Sequence, residues 1–137
     1  MVVEQIKKYE TLGTPLKVVN IDEIGVGGGV VDMLRDLGHH QCIGINVGKE
    51  AHDPEHYFNQ RAEGWFGLRD WIRAGGRIPD DRSIIGSITA PKYKYGPKGQ
   101  LKIEPKEDIK KRLGRSPDEA EALMLALMTG EVPVTSW

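Results

Sequence analysis

The chain has 137 residues, of which 39% are hydrophobic and 28% are charged, and this size predicts a single globular domain over residues 1–137. No apolar stretch approaches the ~18 residues of a membrane-spanning helix, and the first residues lack the basic-then-apolar order of a secretory signal. Cys42 is the one cysteine, which excludes an internal disulfide and a cysteine-built zinc site and favours a cytoplasmic protein.

The formal net charge of −1 conceals an uneven distribution of charge. Residues 91–115 carry nine basic and three acidic side chains, which predicts a cationic surface that can neutralise phosphates. The alternative interpretation is a solvated surface that has no partner. The residues that we predict to contact DNA are Lys92, Lys94, Lys98, Lys106, Lys110, Lys111, Arg112 and Arg115.

The first part of the chain predicts a strand, a helix and a second strand. Residues 2–10 are typical of an amphipathic helix, and 16–22 predict a buried strand because they are rich in β-branched side chains. We expect a Gly-rich turn at 25–29, a short helix over 30–38 and a strand over 42–47. This order predicts a parallel pair of strands with a right-handed crossover, and therefore an α/β sheet.

The second part of the chain predicts three helices and a pair of extended segments. The expected elements are an amphipathic helix over residues 59–76, extended segments over 83–95 and 100–105 around a turn at 96–99, and helices over 105–114 and 116–130. Ser116 before Pro117, with Glu119 three residues after the serine, predicts a capping box at the start of the last helix.

The segment IDEIGVGGGVVD (residues 21–32) permits more than one interpretation. A strand followed by glycines and a helix resembles the start of a nucleotide-binding unit, but the spacing of the glycines matches that motif only loosely. Asp22 and Glu23 at the strand end would repel a phosphate, which favours a Mg²⁺ or Mn²⁺ site because these ions prefer oxygen ligands. A solvated turn aspartate is the remaining alternative.

Asp118 and Glu121 are three residues apart at the head of the last predicted helix, so their side chains share one face. The helix is otherwise almost wholly apolar, and a carboxylate pair placed there needs a cation as its partner. The helix dipole accounts for Asp118 in the first turn, but capping explains Glu121 least well. The pattern leaves two hypotheses, a further set of metal ligands and an ordinary helix start.

Two other motifs are considered and set aside. The segment from His52 to His56 matches the H-x-x-E-H pattern of zinc proteases, but Pro54 would fall inside the helical turn that such a site requires. We therefore expect no zinc site. The sequence has no P-loop motif, so it carries no ATPase motor of that class.

Three segments that follow one another along the chain resemble a known family. They are IDEIGVGGGVVDMLRDLG, FNQRAEGWFGLRDWI and KGQLKIEPKEDIKKRLGRSPDEAEALMLAL. In this order they resemble the C-terminal nuclease domain of the large terminase subunit of tailed bacteriophages. The resemblance implies an α/β fold of RNase H-like type, with a mixed sheet flanked by helices.

The resemblance also implies an activity and its residues. It implies a hydrolase, encoded by a phage or prophage, that cuts double-stranded DNA concatemers during genome packaging in the host cytoplasm. It implies two divalent ions, Mg²⁺ or Mn²⁺, and places the catalytic and metal-binding carboxylates at Asp22, Asp118 and Glu121. The family often has aspartate where Glu121 stands. The implied partners are the terminase ATPase domain, the small terminase subunit and the portal, with no membrane.

One departure from the family affects the expected activity. The first catalytic aspartate of that fold lies on a strand preceding the helix that we predict over residues 2–10, so we expect a sheet truncated at its N-terminal side. We therefore expect little or no cutting by this chain alone. An uncovered sheet edge favours self-association, most simply as a homodimer. The competing hypotheses are a Rossmann-like nucleotide-binding module and a non-catalytic prophage remnant.

Overall fold

The computed structural model describes residues 2–14, 16–26 and 28–128. The chain divides into two compact units, Met1–Asn46 and Val47–Trp137. Each unit has its own cluster of buried apolar side chains. This division does not test whether the two units fold together, so the single domain over residues 1–137 stays a prediction.

The first unit contains a parallel pair of strands and three helices among its described residues. In chain order the elements are α1 (Val2–Thr11), β1 (Val19–Asp22), α2 (Glu23–Val26), α3 (Gly28–Asp36) and β2 (Cys42–Ile45). In β1 and β2, Val19 lies opposite Cys42 and Asp22 lies opposite Ile45. The predicted parallel pair is therefore confirmed, and α2 and α3 lie between its two strands along the chain.

The core of the first unit explains why these short elements form. Its buried side chains come from one helix before the strands, from both strands and from the connecting helix: Ile6, Ile21, Val31, Leu34 and Cys42. Cys42 is fully buried, as expected for a small apolar side chain, and burial raises the pKa of its thiol. Val31 and Leu34 are three residues apart and therefore share the buried face of α3.

The prediction of a Gly-rich turn at residues 25–29 is wrong for the part of it that the structure describes. The chain is helical over Glu23–Val26 and again from Gly28 onward, and residue 27 lies outside the described residues. The Asp22 carboxylate accepts a hydrogen bond of 2.9 Å from the Ile24 backbone N–H, which is the bond of a helix start. Glycine destabilises a helix by about 1 kcal/mol per residue but does not forbid it. The Asp22 cap of α2 and the burial of Val31 and Leu34 in α3 favour helix in spite of the glycines.

The described residues of the second unit form four helices and an antiparallel hairpin. Its elements are α4 (Gln60–Arg73), α5 (Arg82–Thr89), β3 (Tyr93–Tyr95), β4 (Leu101–Ile103), α6 (Lys106–Leu113) and α7 (Asp118–Leu127). The hairpin confirms the extended conformation predicted immediately before and after the turn at 96–99, with Lys94 opposite Lys102. The buried core joins α4, β4 and α7, and its members are Ala62, Trp65, Phe66, Leu68, Ile103, Ala120 and Met124.

The extended conformation predicted from residue 83 is wrong, because Arg82–Thr89 is helix α5. The Asp81 carboxylate accepts hydrogen bonds from the backbone N–H groups of Ser83 and Ile84, at 2.7 and 3.3 Å, and so caps the helix start. Isoleucine is β-branched and is common in strands. Ile84 and Ile88 are four residues apart, however, and this spacing also suits one face of a helix.

The capping box predicted at Ser116 is also wrong. The N-cap of α7 is Pro117, and no side chain caps that helix through a hydrogen bond. The Ser116 hydroxyl instead donates a hydrogen bond of 2.6 Å to Asp118 Oδ1. Glu119, the expected second member of the box, binds Arg115 Nη1 at 3.0 Å. Residues 129 and 130, the end of the predicted helix, lie outside the described residues.

The end of α6 agrees with the sequence. Helix α6 ends at Gly114, whose φ of 79° is the left-handed conformation that favours glycine at a helix C-terminus. Among the residues that the structure describes, no helix has both the length and the apolar character that crossing a membrane requires.

Candidate functional site

The carboxylates of Asp118 and Glu121 meet at the ammonium group of Lys106. Lys106 Nζ lies 3.0 Å from Asp118 Oδ1 and 2.6 Å from Glu121 Oε2. The first turn of α7 supplies both acids, and the first residue of α6 supplies the lysine. The helix spacing that placed the acids on one face therefore brings them together, and the cation that the pair requires is a side chain of this chain.

Arg61 of α4 binds the second carboxylate oxygen of Glu121. Its Nη2 lies 3.3 Å from Glu121 Oε1, and its Nη1 donates a hydrogen bond of 2.8 Å to the backbone oxygen of Glu104. The side chains of Arg61 and Glu121 are only 15% and 14% exposed. Glu121 is thus a largely buried carboxylate with two basic partners, which provides the pairing that burial of a charge demands.

The hydrogen bonds between Ser116, Asp118, Lys106 and Glu121 keep Asp118 and Lys106 charged. The Ser116 hydroxyl, followed by the Lys106 ammonium, lowers the pKa of Asp118 below its usual value. Burial acts to lower the pKa of Lys106, but hydrogen bonds to Glu121 and Asp118 outweigh it, and the pKa of Lys106 is raised. Asp118 is therefore ionised and Lys106 protonated at neutral pH.

The carboxylate oxygens of this cluster are of the type that binds a divalent ion, but too few of them are free to hold one. Carboxylate oxygens are the ligands that Mg²⁺ and Mn²⁺ prefer. One oxygen of Asp118 and both oxygens of Glu121 already face Lys106 or Arg61. Within residues 2–14, 16–26 and 28–128, no three side chains of histidine, cysteine, aspartate or glutamate lie close enough to hold a metal ion.

Asp22 belongs to the first unit, at the end of β1, as the sequence predicts. One of its carboxylate oxygens caps α2 through the Ile24 N–H. The neighbouring Glu23 side chain lies against Gly44 of β2, where a Cβ atom would collide with it. The structure brings Asp118 and Glu121 together in the second unit, and a common site with Asp22 stays a prediction.

The predicted DNA contacts fall into two groups. Four of them bind acidic side chains: Lys106 as above, Lys111 with Asp108, Arg112 with Glu104, and Arg115 with Glu119. The other four are exposed and, within the described part of the chain, have no acidic side chain within ion-pair distance: Lys92, Lys94, Lys98 and Lys110. Their contact with DNA stays a prediction.

The histidines of the H-x-x-E-H segment have acidic partners. His52 Nδ1 lies 2.9 Å from Glu63 Oε2, and His56 Nδ1 lies 2.8 Å from Asp53 Oδ2. Residues 52–56 form a turn and no helix, so the two rings do not share a helical face. This agrees with the argument from Pro54.

Arg61 was missed by the sequence reasoning, and Lys106 was assigned a different role. Arg61 lies 60 residues before Glu121, and nothing local distinguishes it from the other basic residues of an amphipathic helix. Lys106 was included with the predicted DNA contacts because of its charge. Its spacing of 12 residues from Asp118 crosses a helix and a loop, so no periodicity links the two.

The chain has the fold of the nuclease domain of a phage large terminase subunit. That domain of gp2 from bacterial virus Sf6 superimposes with a TM-score of 0.65, at 18% identity, over 87% of this chain and 67% of that chain. A lysine-to-alanine variant solved with manganese and beta-thujaplicinol gives a TM-score of 0.66 at 17% identity, and a structure with calcium gives 0.64 at 17%. Both cover 87% of this chain and 67% of the matched chain. No family profile and no curated protein sequence matches this chain.

The similarity confirms, for the fold, the resemblance drawn from the sequence. Three segments of the sequence pointed to the same domain that the backbone matches. The α/β content is confirmed with it, as two small sheets flanked by helices within the described residues.

Proposed function

We propose that this chain is the RNase H-like nuclease domain of a phage or prophage large terminase subunit. Its reaction is the metal-dependent endonucleolytic cutting of double-stranded DNA concatemers during packaging, in the host cytoplasm. The observation that carries the proposal is the meeting of Asp118 and Glu121 at one point, in a chain with the terminase nuclease fold. The Sf6 structures with manganese and calcium support a divalent ion, and Mg²⁺ or Mn²⁺ is the expected cofactor.

The ligands that we propose for the ion are Asp118, Glu121 and the predicted third acid, Asp22. These carboxylates would hold the ion, which would supply activation of water and shielding of the phosphate charge. Arg61 holds the Glu121 carboxylate in place from the side opposite Lys106. The exposed lysines of residues 92–98 bind the phosphate backbone of a duplex without reading its bases.

We propose that cutting by this chain alone is weak. Asp118 and Glu121 meet at Lys106, and with the proposed Asp22 they make only three carboxylates. A site with two metals about 3.5 to 4 Å apart requires more ligands than this. In the assembled packaging complex, the terminase ATPase domain, the small subunit and the portal are the proposed partners.

The test separates ion binding from cutting. The melting temperature of the protein is measured with and without Mn²⁺ for the native chain, for the Asp118→Asn, Glu121→Gln double variant, and for Asp108→Asn as a control carboxylate on α6. We expect Mn²⁺ to raise the melting temperature of the native chain and of the control, and to have a smaller effect on the double variant, because a ligand stabilises the state that binds it.

Cleavage of supercoiled plasmid with Mn²⁺ tests the second part of the proposal. We expect slow nicking by the native chain and none by the double variant. Strong cutting that the double variant abolishes would refute weak activity while supporting the site. A melting temperature raised by NAD or ATP and unaffected by Mn²⁺ would instead support the nucleotide-binding hypothesis.

A further inference from the structure

The hairpin of the second unit exposes two aromatic side chains. Tyr93 and Tyr95 are alternate residues of β3, so their side chains leave the same face of the strand. The two residues are 58% and 69% exposed, although an aromatic side chain stabilises a fold mainly through the surface that it buries. The Tyr93 ring lies 5.6 Å from the buried Phe66 ring, centre to centre, whereas the ring contact described for Tyr95 is with Tyr93. Packing against the core therefore explains Tyr93 in part, but it does not explain Tyr95.

The charge of the hairpin selects an anionic ligand. Residues 92–102 contain four lysines and no acidic residue. Three of these lysines, Lys92, Lys94 and Lys98, are exposed and have no acidic side chain of the described residues within ion-pair distance. Lys94 also lies opposite Lys102 in the strand pair, and like charges in that position destabilise a hairpin. A chain of phosphates would neutralise these charges.

The geometry of the two rings suits unpaired bases. The rings of Tyr93 and Tyr95 lie 6.3 Å apart, centre to centre, and their planes meet at 84°. An edge-to-face contact of this kind covers at most one face of each ring, so Tyr95 keeps a face on which a base can stack. The bases of a duplex are parallel and about 3.4 Å apart along each strand, so neighbouring bases cover one another. Bases stacked on both tyrosines would be nearly perpendicular to each other, which requires a flexible strand that is not paired.

We propose that this hairpin binds single-stranded DNA, with unpaired bases stacked on Tyr93 and Tyr95 and with phosphates bound by Lys92, Lys94 and Lys98. Every base has an aromatic face, so binding of this kind carries little sequence preference. A sugar or a neutral peptide would use the rings but not the lysines, and the positive charge therefore favours a nucleic acid over either of them. The choice of DNA over RNA rests on the proposed function, whereas the stacking of unpaired bases rests on the hairpin alone.

The test measures the affinity of the full chain for a fluorescently labelled oligothymidylate of about twelve nucleotides, by anisotropy in the presence of EDTA. Tyr95→Ala should weaken binding at least about fivefold, which is the lower end of what one stacked base contributes. It should leave the salt dependence of binding unchanged, because no phosphate contact is lost. Tyr95→Phe keeps the ring and should bind as the native chain does. Tyr9→Ala, the matched change at an exposed tyrosine of α1, should have no effect.

An abasic strand of the same length separates the rings from the lysines, because it keeps the phosphates and lacks the bases. It should bind the native chain at least about fivefold more weakly than oligothymidylate does, and Tyr95→Ala should not weaken it further. Equal binding of the two strands, an equal effect of Tyr95→Ala on a duplex of the same length, or tighter binding of oligouridylate than of oligothymidylate would each overturn the proposal. EDTA excludes metal-dependent cutting, so a failure of this binding is distinct from a failure of the proposed nuclease site.

Discussion

Glu121 is the better buried of the two carboxylates that meet at Lys106. Its side chain is 14% exposed, against 71% for Asp118, and it also binds Arg61. The two acids share one helix face and one lysine, yet they differ in how much water surrounds them. Removing a partner from a buried charge is costly, whereas an exposed ion pair contributes little.

We expect Glu121→Gln to destabilise the protein by about 2 kcal/mol, because it leaves the Arg61 guanidinium buried without its countercharge. Asp118→Asn, the matched substitution at the exposed acid, should cost less than about 1 kcal/mol. Urea unfolding followed by circular dichroism measures both values. A larger loss for Asp118→Asn than for Glu121→Gln would show that burial does not decide the importance of these residues.

The exposed pair of His56 and Asp53 makes stability depend on pH. A hydrogen bond to Asp53 raises the pKa of His56, and the same bond lowers the pKa of Asp53. The contribution of His56 is present below its unfolded pKa of about 6.5 and is lost as the pH rises through its folded pKa. The contribution of Asp53 is present above its unfolded pKa of about 3.9 and is lost as the pH falls through its folded pKa.

An NMR titration of the His56 ring should therefore give a folded pKa above 6.5 in the native chain, and Asp53→Asn should bring it down toward that value. The stability difference between the native chain and Asp53→Asn should be greatest between about pH 4 and 6.5, where both groups are charged. A His56 pKa that is the same in both proteins would exclude the ion pair in solution.

At the scale of the elements, the basic residues of the segment 91–115 fall into two groups, those paired with acidic side chains and those left exposed. Helix α6 and the start of α7 use several of its cations to hold the fold together, through Lys106, Arg112 and Arg115. The hairpin strand β3 and its turn leave their lysines exposed. The electrostatic attraction for DNA should therefore depend on the hairpin more than on α6.

We expect a Lys92→Gln, Lys94→Gln, Lys98→Gln variant to bind duplex DNA more weakly and about equally so for unrelated sequences. Each phosphate contact contributes about 0.9 to the slope of log K against log salt, so losing three lowers that slope by about 2 to 3. The matched control carries the same change at the exposed lysines of the first unit, Lys7, Lys8 and Lys17. If the slope of log K against log salt fell equally for both triple variants, the weaker DNA binding would result from the change in total charge and not from contacts made by the hairpin.

At the scale of the whole molecule, the first unit exposes large apolar side chains. Leu12, Ile24, Met33 and Leu37 are between 55% and 66% exposed. Met33 and Leu37 are four residues apart and lie near the end of α3, so they form neighbouring parts of one surface. Clustered apolar exposure of this kind is typical of a surface that another molecule covers.

Self-association of the native chain is the expected result, most simply as a two-fold dimer. A Met33→Gln, Leu37→Gln variant should be a monomer at concentrations where the native chain associates, as measured by sedimentation equilibrium. Ile85→Gln, at a residue of α5 that is 39% exposed, is the control and should not change the association. A native chain that stays monomeric at every concentration would contradict the prediction.

Much of this fold could be predicted from the sequence, because many of its elements depend on local signals. The helix end at Gly114 follows from the left-handed conformation there, and the hairpin follows from its Gly-Pro-Lys-Gly turn. The local signals failed at residues 25–29 and 83–89. In both places a preceding aspartate, Asp22 or Asp81, starts a helix whose composition suggested something else.

The sequence by itself determined that two carboxylates of the last helix lie together, because a spacing of three residues puts them on one face. Only the tertiary structure decided which basic side chains bind these two carboxylates. Lys106 and Arg61 reach Glu121 from 15 and 60 residues away along the chain. Helical periodicity extends only as far as the helix itself, so the partners of a buried charge depend on how separate elements pack, which no local pattern of residues records.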